Sequence, residues 1–331
     1  MADKLIRFAT IGTNFITDEL LEAAREVQNF ELAAVYSRDE NKAREFAAKH
    51  GAAHIFTDLT EMAESQLIDA VYIASPNALH HSQSLLFLNN GKHVLCEKAI
   101  ASNVGELKDM IKAAKKNQVL LMEAMRPTMV PNLRILKESL HKIGKVRKYF
   151  AVKCQYSSRY DKYKQGIVLN AFKPELSNGA LMDIGIYCIH PMIYLFGKPK
   201  EVKASAYMLE SGVDGEGSAL FKYDDMEAQV MYSKITNSHL PCEIQGEEGS
   251  ILIDRIHDFH EVKIIYRDGK EEIISEKQYE RDMRYEIEEF ISLIHQGKTE
   301  SPINSFENSL AALEVMDEIR RQIGLAFPAD K

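Results

Sequence analysis

The chain has 331 residues, of which 45% are hydrophobic and 27% charged, the composition of an ordinary globular protein long enough for about two domains. Its 41 basic and 49 acidic side chains give a formal net charge of −8, which disfavours nucleic acid and anionic membrane surfaces as partners. The four cysteines form no Cys-x-x-Cys pair and the histidines lack metal-ligand spacing, so we expect neither a disulfide framework nor a metal site.

Short apolar runs alternate with amphipathic segments over the first 123 residues. Predicted strands cover residues 5–11, 31–36, 70–74, 93–96 and 119–122. Between them, apolar residues recur at helical spacing, as in the group Ile16, Leu20, Ala24 and Val27. This alternation is typical of a parallel sheet covered by helices on both faces, so we predict an N-terminal α/β domain over residues 1–125.

The pattern changes after residue 126. One predicted helix (131–142) precedes strand-like stretches, and the chain ends in two further predicted helices; the strands are 146–156, 201–208, 228–233 and 262–266, and the last helices 279–295 and 306–323. Runs of strands after βα units indicate a second, α+β domain, which we place at residues 126–331. No run of about 18 consecutive apolar residues and no signal-like N-terminus is found, so we expect a cytoplasmic protein.

A degenerate glycine turn follows the first predicted strand. The residues there are Gly12, Thr13, Asn14, Phe15 and Ile16, at the place where a dinucleotide fold sets pyrophosphate on the N-terminus of the next helix. Only the first glycine of G-x-G-x-x-G is present. Because asparagine adopts a left-handed backbone more readily than most residues, we expect the turn to persist; the alternative is an ordinary strand-to-helix turn.

The end of the second predicted strand selects between the two nicotinamide cofactors. Ser37 and Arg38 stand where a reader of the ribose 2′-hydroxyl would need an acidic residue. A hydroxyl and a guanidinium suit a 2′-phosphate instead, which favours NADP(H). Asp39, the next residue, keeps NAD(H) as the alternative cofactor.

Four motifs together resemble the glucose-fructose oxidoreductase, inositol dehydrogenase and MocA (Gfo/Idh/MocA) family. They are S-P-N-A-L-H at 75–80, G-K-H-V-L-C-E-K-A at 91–99, E-A-M-R at 123–126 and G-A-L-M-D-I-G-I-Y at 179–187. The resemblance covers nearly the whole chain. It implies an N-terminal Rossmann domain and a C-terminal α+β domain whose large, mostly antiparallel open sheet carries the substrate pocket on one side and commonly forms dimers or tetramers.

The resemblance also assigns roles to residues. The lysine of E-K-P in the family is catalytic and matches Lys98, although Ala99 replaces the family proline. Asp183, Tyr187 and His190 have spacing i, i+4 and i+7, which predicts one helical face. A tyrosine at position 187 is similar to the subgroup of dimeric dihydrodiol dehydrogenases and glucose-fructose oxidoreductase, where lysine and tyrosine act together.

We therefore expect hydride transfer between a nicotinamide cofactor and a secondary alcohol or carbonyl of a sugar, polyol or diol. Lys98 and Tyr187 would handle the proton and Asp183 would hold the substrate or the lysine. The expected cofactor-binding residues are Gly12, Thr13, Asn14, Phe15, Ile16, Ser37, Arg38, Ser75, Pro76, Asn77, His80, Glu97 and Lys98. The expected substrate-binding residues are Lys98, Arg126, Asp183, Tyr187 and His190.

Several alternatives stay open at this point. His80 and Arg126 either line a pocket or hold a loop, and Tyr187 and His190 either contact substrate or pack in the core. A non-catalytic nucleotide-binding sensor of the same fold is the second hypothesis for the whole protein, motivated by the degenerate turn and Ala99. Redox-assisted glycosidic cleavage is a third, but it needs a further acid and base that the sequence does not place.

Overall fold

The computed structural model describes residues 4–331, which form two compact units. The first unit comprises the chain up to Met125 together with Tyr279–Phe306, and the second comprises Arg126–Gln278 with Glu307–Lys331. The sequence assigned residues 279–306 to the second domain, whereas in the structure they belong to the first unit.

The helices and strands are as follows in chain order. The strands are β1 (Ile6–Ile11), β2 (Phe30–Tyr36), β3 (His54–Phe56), β4 (Ala70–Ile73), β5 (His93–Glu97), β6 (Leu121–Ala124), β7 (Val146–Cys154), β8 (Glu201–Met208), β9 (Asp214–Lys222), β10 (Glu227–Ser233), β11 (Cys242–Gly246), β12 (Gly249–Ile253), β13 (Val262–Tyr266) and β14 (Glu271–Ile273). The α-helices are α1 (Phe15–Ala24), α2 (Glu40–His50), α3 (Leu59–Glu64), α4 (His80–Asn89), α5 (Val104–Asn117), α6 (Arg126–Met129), α7 (Pro131–Ser139), α8 (Tyr160–Lys164), α9 (Ile186–Phe196), α10 (Met283–His295) and α11 (Phe306–Ile323). A π-helical turn, Leu181–Gly185, leads directly into α9.

The first unit is built on a six-stranded sheet of order β3-β2-β1-β4-β5-β6, in which all paired strands are parallel. Every residue of β4 is buried, as expected for a central strand covered by helices on both faces. This order is that of the doubly wound dinucleotide-binding fold, with the carboxyl ends of β1 and β4 side by side at the point where the order reverses. The predicted Rossmann-type fold class is confirmed.

Residues 279–306 join the first unit through apolar packing and backbone hydrogen bonds. The ring of Phe290 on α10 lies 5.7 Å from the ring of Phe8 on β1. Asn304, which is buried, donates its side-chain amide to the carbonyl oxygen of Glu123 at 3.0 Å. Helical periodicity predicted α10 but carried no information about the sheet on which its apolar face packs, which explains the different assignment.

The second unit contains an eight-stranded sheet of order β14-β13-β12-β11-β7-β10-β9-β8. All neighbouring strands are antiparallel except β7 and β10, which run parallel. One face of this pair packs against α9, where the Tyr149 hydroxyl donates to the carbonyl oxygen of Cys188 at 2.9 Å. The large, mostly antiparallel sheet that the resemblance implied is therefore present.

The segment Pro174–Phe196 is apolar enough, with a mean hydropathy of 1.4, and long enough to cross a membrane by length and composition alone. In the structure 72% of its most apolar stretch is buried. It includes the π-helical turn and α9, whose residues Ile189, Met192 and Ile193 have almost no exposed surface. The segment behaves as the core helix of the second unit.

Candidate active site

The turn between β1 and α1 has the geometry of a dinucleotide cradle. Gly12 has φ = +110°, a conformation that favours glycine, and a Cβ atom there would lie 2.7 Å from the carbonyl oxygen of Ala74. Any side chain at this position would therefore collide with the backbone at the end of β4. Thr13 and Ile16 are half-buried, whereas Phe15, the first residue of α1, is 63% exposed.

Asn14 supports this turn in a different way from the one we expected. Its backbone is extended (φ −106°, ψ 176°), not left-handed. Its side-chain oxygen instead accepts hydrogen bonds from the backbone N–H groups of Ile16 and Thr17, and its amide donates to Ala74 O at 2.8 Å. The asparagine is thus the N-cap of α1, a role for which its short polar side chain is well suited, and no positive φ is needed.

Arg38 and Asp39 differ in their surroundings at the end of β2. Asp39 is the N-cap of α2, where its carboxylate accepts from the backbone N–H groups of Asn41 and Lys42. Ser37 Oγ accepts from the Asp39 N–H at 3.2 Å. Arg38 is exposed. Because the carboxylate of Asp39 is already used as a helix cap, the guanidinium is the better placed of the two charges to meet a ligand.

The loop after β4 carries the motif residues Ser75, Pro76, Asn77 and His80. Ser75 and Pro76 are half-buried and Asn77 is buried. His80 is fully buried; its Nε2 lies 2.9 Å from the carbonyl oxygen of Ser75, and its Nδ1 2.9 Å from that of Ala99. Burial lowers the pKa of His80. The side chain thus holds the two loops together, which is one of the two roles left open by the sequence, and its contact with the cofactor stays a prediction.

The strand β5 ends at the pair Glu97 and Lys98. Glu97 is buried and accepts hydrogen bonds from the Tyr72 hydroxyl at 2.6 Å and from the Lys98 N–H at 3.3 Å. Burial raises the pKa of Tyr72 well above its usual value, so this phenol stays a donor. Lys98 is half-buried, and its peptide bond to Ala99 is cis. Glu123 also holds the loop after β5, because its carboxylate accepts a hydrogen bond from the Ile100 N–H at 3.1 Å.

In the second unit, Asp183 lies in the π-helical turn before α9 and pairs with a lysine that sequence reasoning missed. Asp183 Oδ2 is 2.6 Å from Lys234 Nζ. The Lys234 side chain is 3% exposed, whereas that of Asp183 is 33% exposed. Single π-helical turns inside helices occur frequently at functional sites.

The start of this helical segment is anchored by Asp214, which is fully buried. Its Oδ2 accepts from the Leu181 N–H at 2.7 Å. Gly179, with φ = +142°, leaves room for the carboxylate, because a Cβ there would lie 2.1 Å from Asp214 Oδ1. Burial raises the pKa of Asp214 to about 6, even though the backbone N–H donors and the charge of Lys234 act in the opposite direction.

Tyr187 is half-buried on the first turn of α9, beside a second lysine absent from our expectations. The Nζ atom of Lys153 lies 5.8 Å from the centroid of the Tyr187 ring, within cation–π range. In the parallel pair, Lys153 on β7 is the partner of Tyr232 on β10. A cation therefore lies close to the phenol within the second unit itself.

The other two expected substrate residues, His190 and Arg126, differ in burial and surroundings. His190 is fully buried among the core residues of α9, and its contact with substrate stays a prediction. Arg126, at the start of α6, is half-buried and lies near His257. Burial, and then the charges of Lys153, Arg126 and Arg255, lower the pKa of His257 to about 3.

The sequence contains a signal that could have identified Lys234. Alternation along β10 places residues 228, 230 and 232 on one buried face, and Lys234, the residue after the strand, continues that face and is also buried. A lysine that continues a buried face needs a counter-charge. The partner of Lys234, Asp183, lies 51 residues away, and a single sequence does not link them.

The described part of the chain contains no cluster of metal-ligand side chains and no disulfide. Among residues 4–331, no group of three His, Cys, Asp or Glu side chains could hold a metal ion. All four cysteines are free thiols, and burial raises the pKa of Cys96 and Cys188 well above the usual value.

Family models match both units. Residues 6–125 match the oxidoreductase family with an NAD-binding Rossmann fold, and residues 140–252 match the GFO/IDH/MocA C-terminal domain. The two matches cover most of the chain and flank the boundary at residue 125. The resemblance that the motifs indicated is thereby confirmed.

Curated relatives extend the match over the full length. The scyllo-inositol 2-dehydrogenase (NADP(+)) IolU of Bacillus subtilis (strain 168) is 58% identical over 327 residues, covering 99% of this chain and 100% of that protein. The trans-1,2-dihydrobenzene-1,2-diol dehydrogenase of Danio rerio is 30% identical and covers 98% of this chain and 99% of its own length.

A solved structure has the same fold. The aldose-aldose oxidoreductase from Caulobacter crescentus superposes with a TM-score of 0.85 at 21% identity, covering 96% of this chain and 97% of that one. At this level of identity the likeness concerns the fold alone.

Proposed function

Because the chain belongs to the Gfo/Idh/MocA family of oxidoreductases, we propose that it is an NADP(H)-dependent dehydrogenase that interconverts a secondary alcohol of an inositol-like polyol with the corresponding ketone. The observation that carries the proposal is the 58% identity, over the full length, to a scyllo-inositol 2-dehydrogenase (NADP(+)). The chemistry of Lys98 in the first unit and of Asp183 and Tyr187 in the second supports it.

The residues of the first unit fit a dinucleotide. The cradle at Gly12 leaves no room for a Cβ, and α1 begins immediately after it, so that backbone N–H groups and the positive end of the helix dipole can meet a pyrophosphate. Ser37 and Arg38 would hold the 2′-phosphate of NADP(H). When bound, the nicotinamide ring supplies or accepts the hydride at C4.

The remaining groups handle the proton and the orientation of the substrate. During alcohol oxidation the substrate C–H bond breaks as its hydride leaves for the oxidised cofactor, the hydroxyl proton passes to the deprotonated Tyr187 oxygen, and the carbon–oxygen bond becomes a carbonyl. The ammonium of Lys98 stabilises negative charge on the reacting oxygen. Asp183, as a carboxylate, accepts a hydrogen bond from a substrate hydroxyl and so orients the ring of a polyol.

We further propose that the protein is a cytoplasmic homodimer or homotetramer. The support is an exposed face of the second sheet that carries apolar side chains: Tyr207 on β8 and Leu220 on β9 are 60% and 55% exposed. Pairing of β8 with β9 places both residues on the same face. Sedimentation velocity of the wild type and of Leu220→Asp would test this; a monomeric wild type would contradict it.

The function is tested by initial rates with scyllo-inositol and each oxidised cofactor, followed by reduced-nicotinamide absorbance. We expect turnover with NADP⁺, a clear preference over NAD⁺, and loss of about 1000-fold in kcat for Lys98→Met because general acid–base and electrostatic assistance are removed together. Lys222→Met, which alters an exposed ion pair with Glu201, is the matched control and should match the wild type. NADPH binding without turnover of any polyol, sugar or diol would favour the sensor instead.

A further inference from the structure

Lys234 is a nearly buried cation whose hydrogen-bonded partner is half-exposed. Its Nζ donates to Asp183 Oδ2 at 2.6 Å and lies 5.5 Å from the centre of the Phe172 ring. The side chain of Lys234 is 3% exposed and that of Asp183 is 33% exposed. The pair is therefore anchored in the protein at the lysine and open to solvent at the carboxylate.

The topology of the sheet explains why the lysine is there. β7 and β10 are parallel partners, so their carboxyl ends lie side by side. Alternation along the two strands puts Lys153, Tyr232 and Lys234 toward the helical segment that carries Asp183 and Tyr187. Tyr232 is fully buried between the two lysine positions. The parallel pair of strands thus places Lys153 near the Tyr187 ring and Lys234 against the Asp183 carboxylate.

A buried lysine is costly, so its retention needs a reason. Removing an ammonium from water costs several kcal/mol unless strong hydrogen bonds replace the lost hydration, which makes a buried ion pair weak evidence for a stabilising role. The fold already anchors this helical segment through Asp214, which accepts from the Leu181 N–H. What Lys234 adds is a fixed position and a fixed charge for the one partly exposed carboxylate of the segment.

We propose that Lys234 is a positioning residue of the dehydrogenase reaction, which holds Asp183 ionised and oriented as the hydrogen-bond acceptor for a substrate hydroxyl. The inference rests on the function proposed above and assigns Asp183 to substrate orientation rather than to proton donation. Within the second unit, the charge of Lys234 acts on the buried Asp214 of β9, Tyr187 comes four residues after Asp183, and Lys153 of β7 lies near the Tyr187 ring.

The kinetic test compares Lys234→Met, Lys234→Arg and the control Lys222→Met across pH with scyllo-inositol and NADP⁺. We expect Lys234→Met to lower kcat/KM about 100-fold at neutral pH, because a displaced orienting group has effects of that size. The acidic limb of its kcat/KM profile should move up by about one pH unit, since an opposite charge at this distance favours the ionised carboxylate by at least that much. Lys234→Arg should restore most of the activity and the wild-type limb.

A second readout does not depend on turnover. Carboxyl-carbon NMR of protein labelled at aspartate, with the Asp183 signal identified by its absence in Asp183→Asn, follows protonation of this carboxylate directly. Its titration midpoint should rise in Lys234→Met and stay near the wild-type position in Lys234→Arg and Lys222→Met. If Lys234→Met does not fold, Lys234→Gln, which keeps hydrogen-bond donors and removes the charge, takes its place in both measurements.

The outcomes separate the two proposals. A wild type that turns over no polyol contradicts the proposed function, while the NMR titration still reports on the lysine. An active wild type with an unchanged pH profile and unchanged titration in Lys234→Met overturns the inference. Loss of stability in Lys234→Met with kcat/KM and its pH profile intact would assign the lysine to the fold alone and also overturn it.

Discussion

The Nδ1 atom of His80 lies 2.9 Å from the carbonyl oxygen of Ala99, the residue that follows Lys98. The other ring nitrogen lies 2.9 Å from the carbonyl oxygen of Ser75, so one buried imidazole joins the loop after β4 to the loop after β5. A neutral imidazole can donate to only one of these carbonyls, whereas the protonated ring could donate to both. Burial lowers the pKa of His80, which opposes the second arrangement. A buried side chain thus links the loop that carries Lys98 to the neighbouring loop.

His80→Ala should lower both stability and activity. We expect a loss of about 2 kcal/mol in the free energy of unfolding, because one buried carbonyl group loses its donor and a cavity forms. The value of kcat should fall more than the affinity for NADPH, since the lysine moves while the glycine turn is untouched. Urea unfolding, fluorescence titration and initial rates measure the three quantities. His81→Ala, a change at the neighbouring half-buried position, is the control; an unchanged kcat in His80→Ala would contradict the positioning role.

Arg38→Ala should change cofactor preference without changing the fold. The side chain is exposed at the end of β2, and the neighbouring carboxylate of Asp39 is engaged as the cap of α2. Loss of a charge-assisted contact to the 2′-phosphate should weaken NADPH binding by about 10-fold or more and leave NADH binding unaltered. Arg44→Ala, on the exposed side of α2 and paired with Glu40, should leave both affinities at the wild-type level. Unchanged NADPH affinity in Arg38→Ala would remove the phosphate role from this residue.

Asp214 should make the stability of the protein depend on pH. Its pKa in the folded state is raised to about 6 by burial, above the value of 3.8 for an unperturbed aspartate. Because the folded state holds the proton more tightly, the contribution of this group is fully present below pH 3.8 and is lost as pH rises through about 6. The change is on the order of 3 kcal/mol, since each pKa unit corresponds to about 1.4 kcal/mol.

Asp214→Asn keeps an acceptor for the Leu181 N–H and removes the titration. Urea unfolding at several pH values between 4 and 7 should therefore show a smaller fall in stability with pH for the variant than for the wild type. Asp224→Asn, at an exposed aspartate paired with Lys200, is the control and should follow the wild-type slope. Parallel slopes for wild type and Asp214→Asn would show that the carboxylate titrates normally in the folded protein.

The sequence predicted those elements that are determined by residues close together in the chain. Apolar runs such as residues 70–74 and 93–96 place the central parallel strands, and Lys98 comes directly after the second of these strands. The role of Asn14 was misread because a left-handed backbone and an N-cap both suit asparagine, and only the geometry of the turn distinguishes them. The pairing of Lys234 with Asp183 depends on the parallel register of β7 and β10, which a single sequence does not encode locally. The same holds for α10. Its sequence does not indicate which sheet its apolar face packs on, and only the contact of Phe290 with Phe8 in the structure shows that it is the sheet of the first unit.

The proposed cooperation of Lys98 with Tyr187 is open to a double-mutant cycle. Each of Lys98→Met and Tyr187→Phe should lower kcat by about 1000-fold, the size of a general acid–base contribution combined with charge stabilisation. If the Lys98 ammonium acts by assisting the Tyr187 phenol, removing one of the two groups has little further effect on kcat once the other has been removed. The double variant should then be about as slow as the slower single variant. Combining Lys98→Met with the exposed Lys222→Met gives the reference, in which the two effects should simply multiply. If the effects of Lys98→Met and Tyr187→Phe multiply in the same way, the two residues act in independent steps. Lys153, whose Nζ lies 5.8 Å from the centroid of the Tyr187 ring, would then become the cation that assists the phenol.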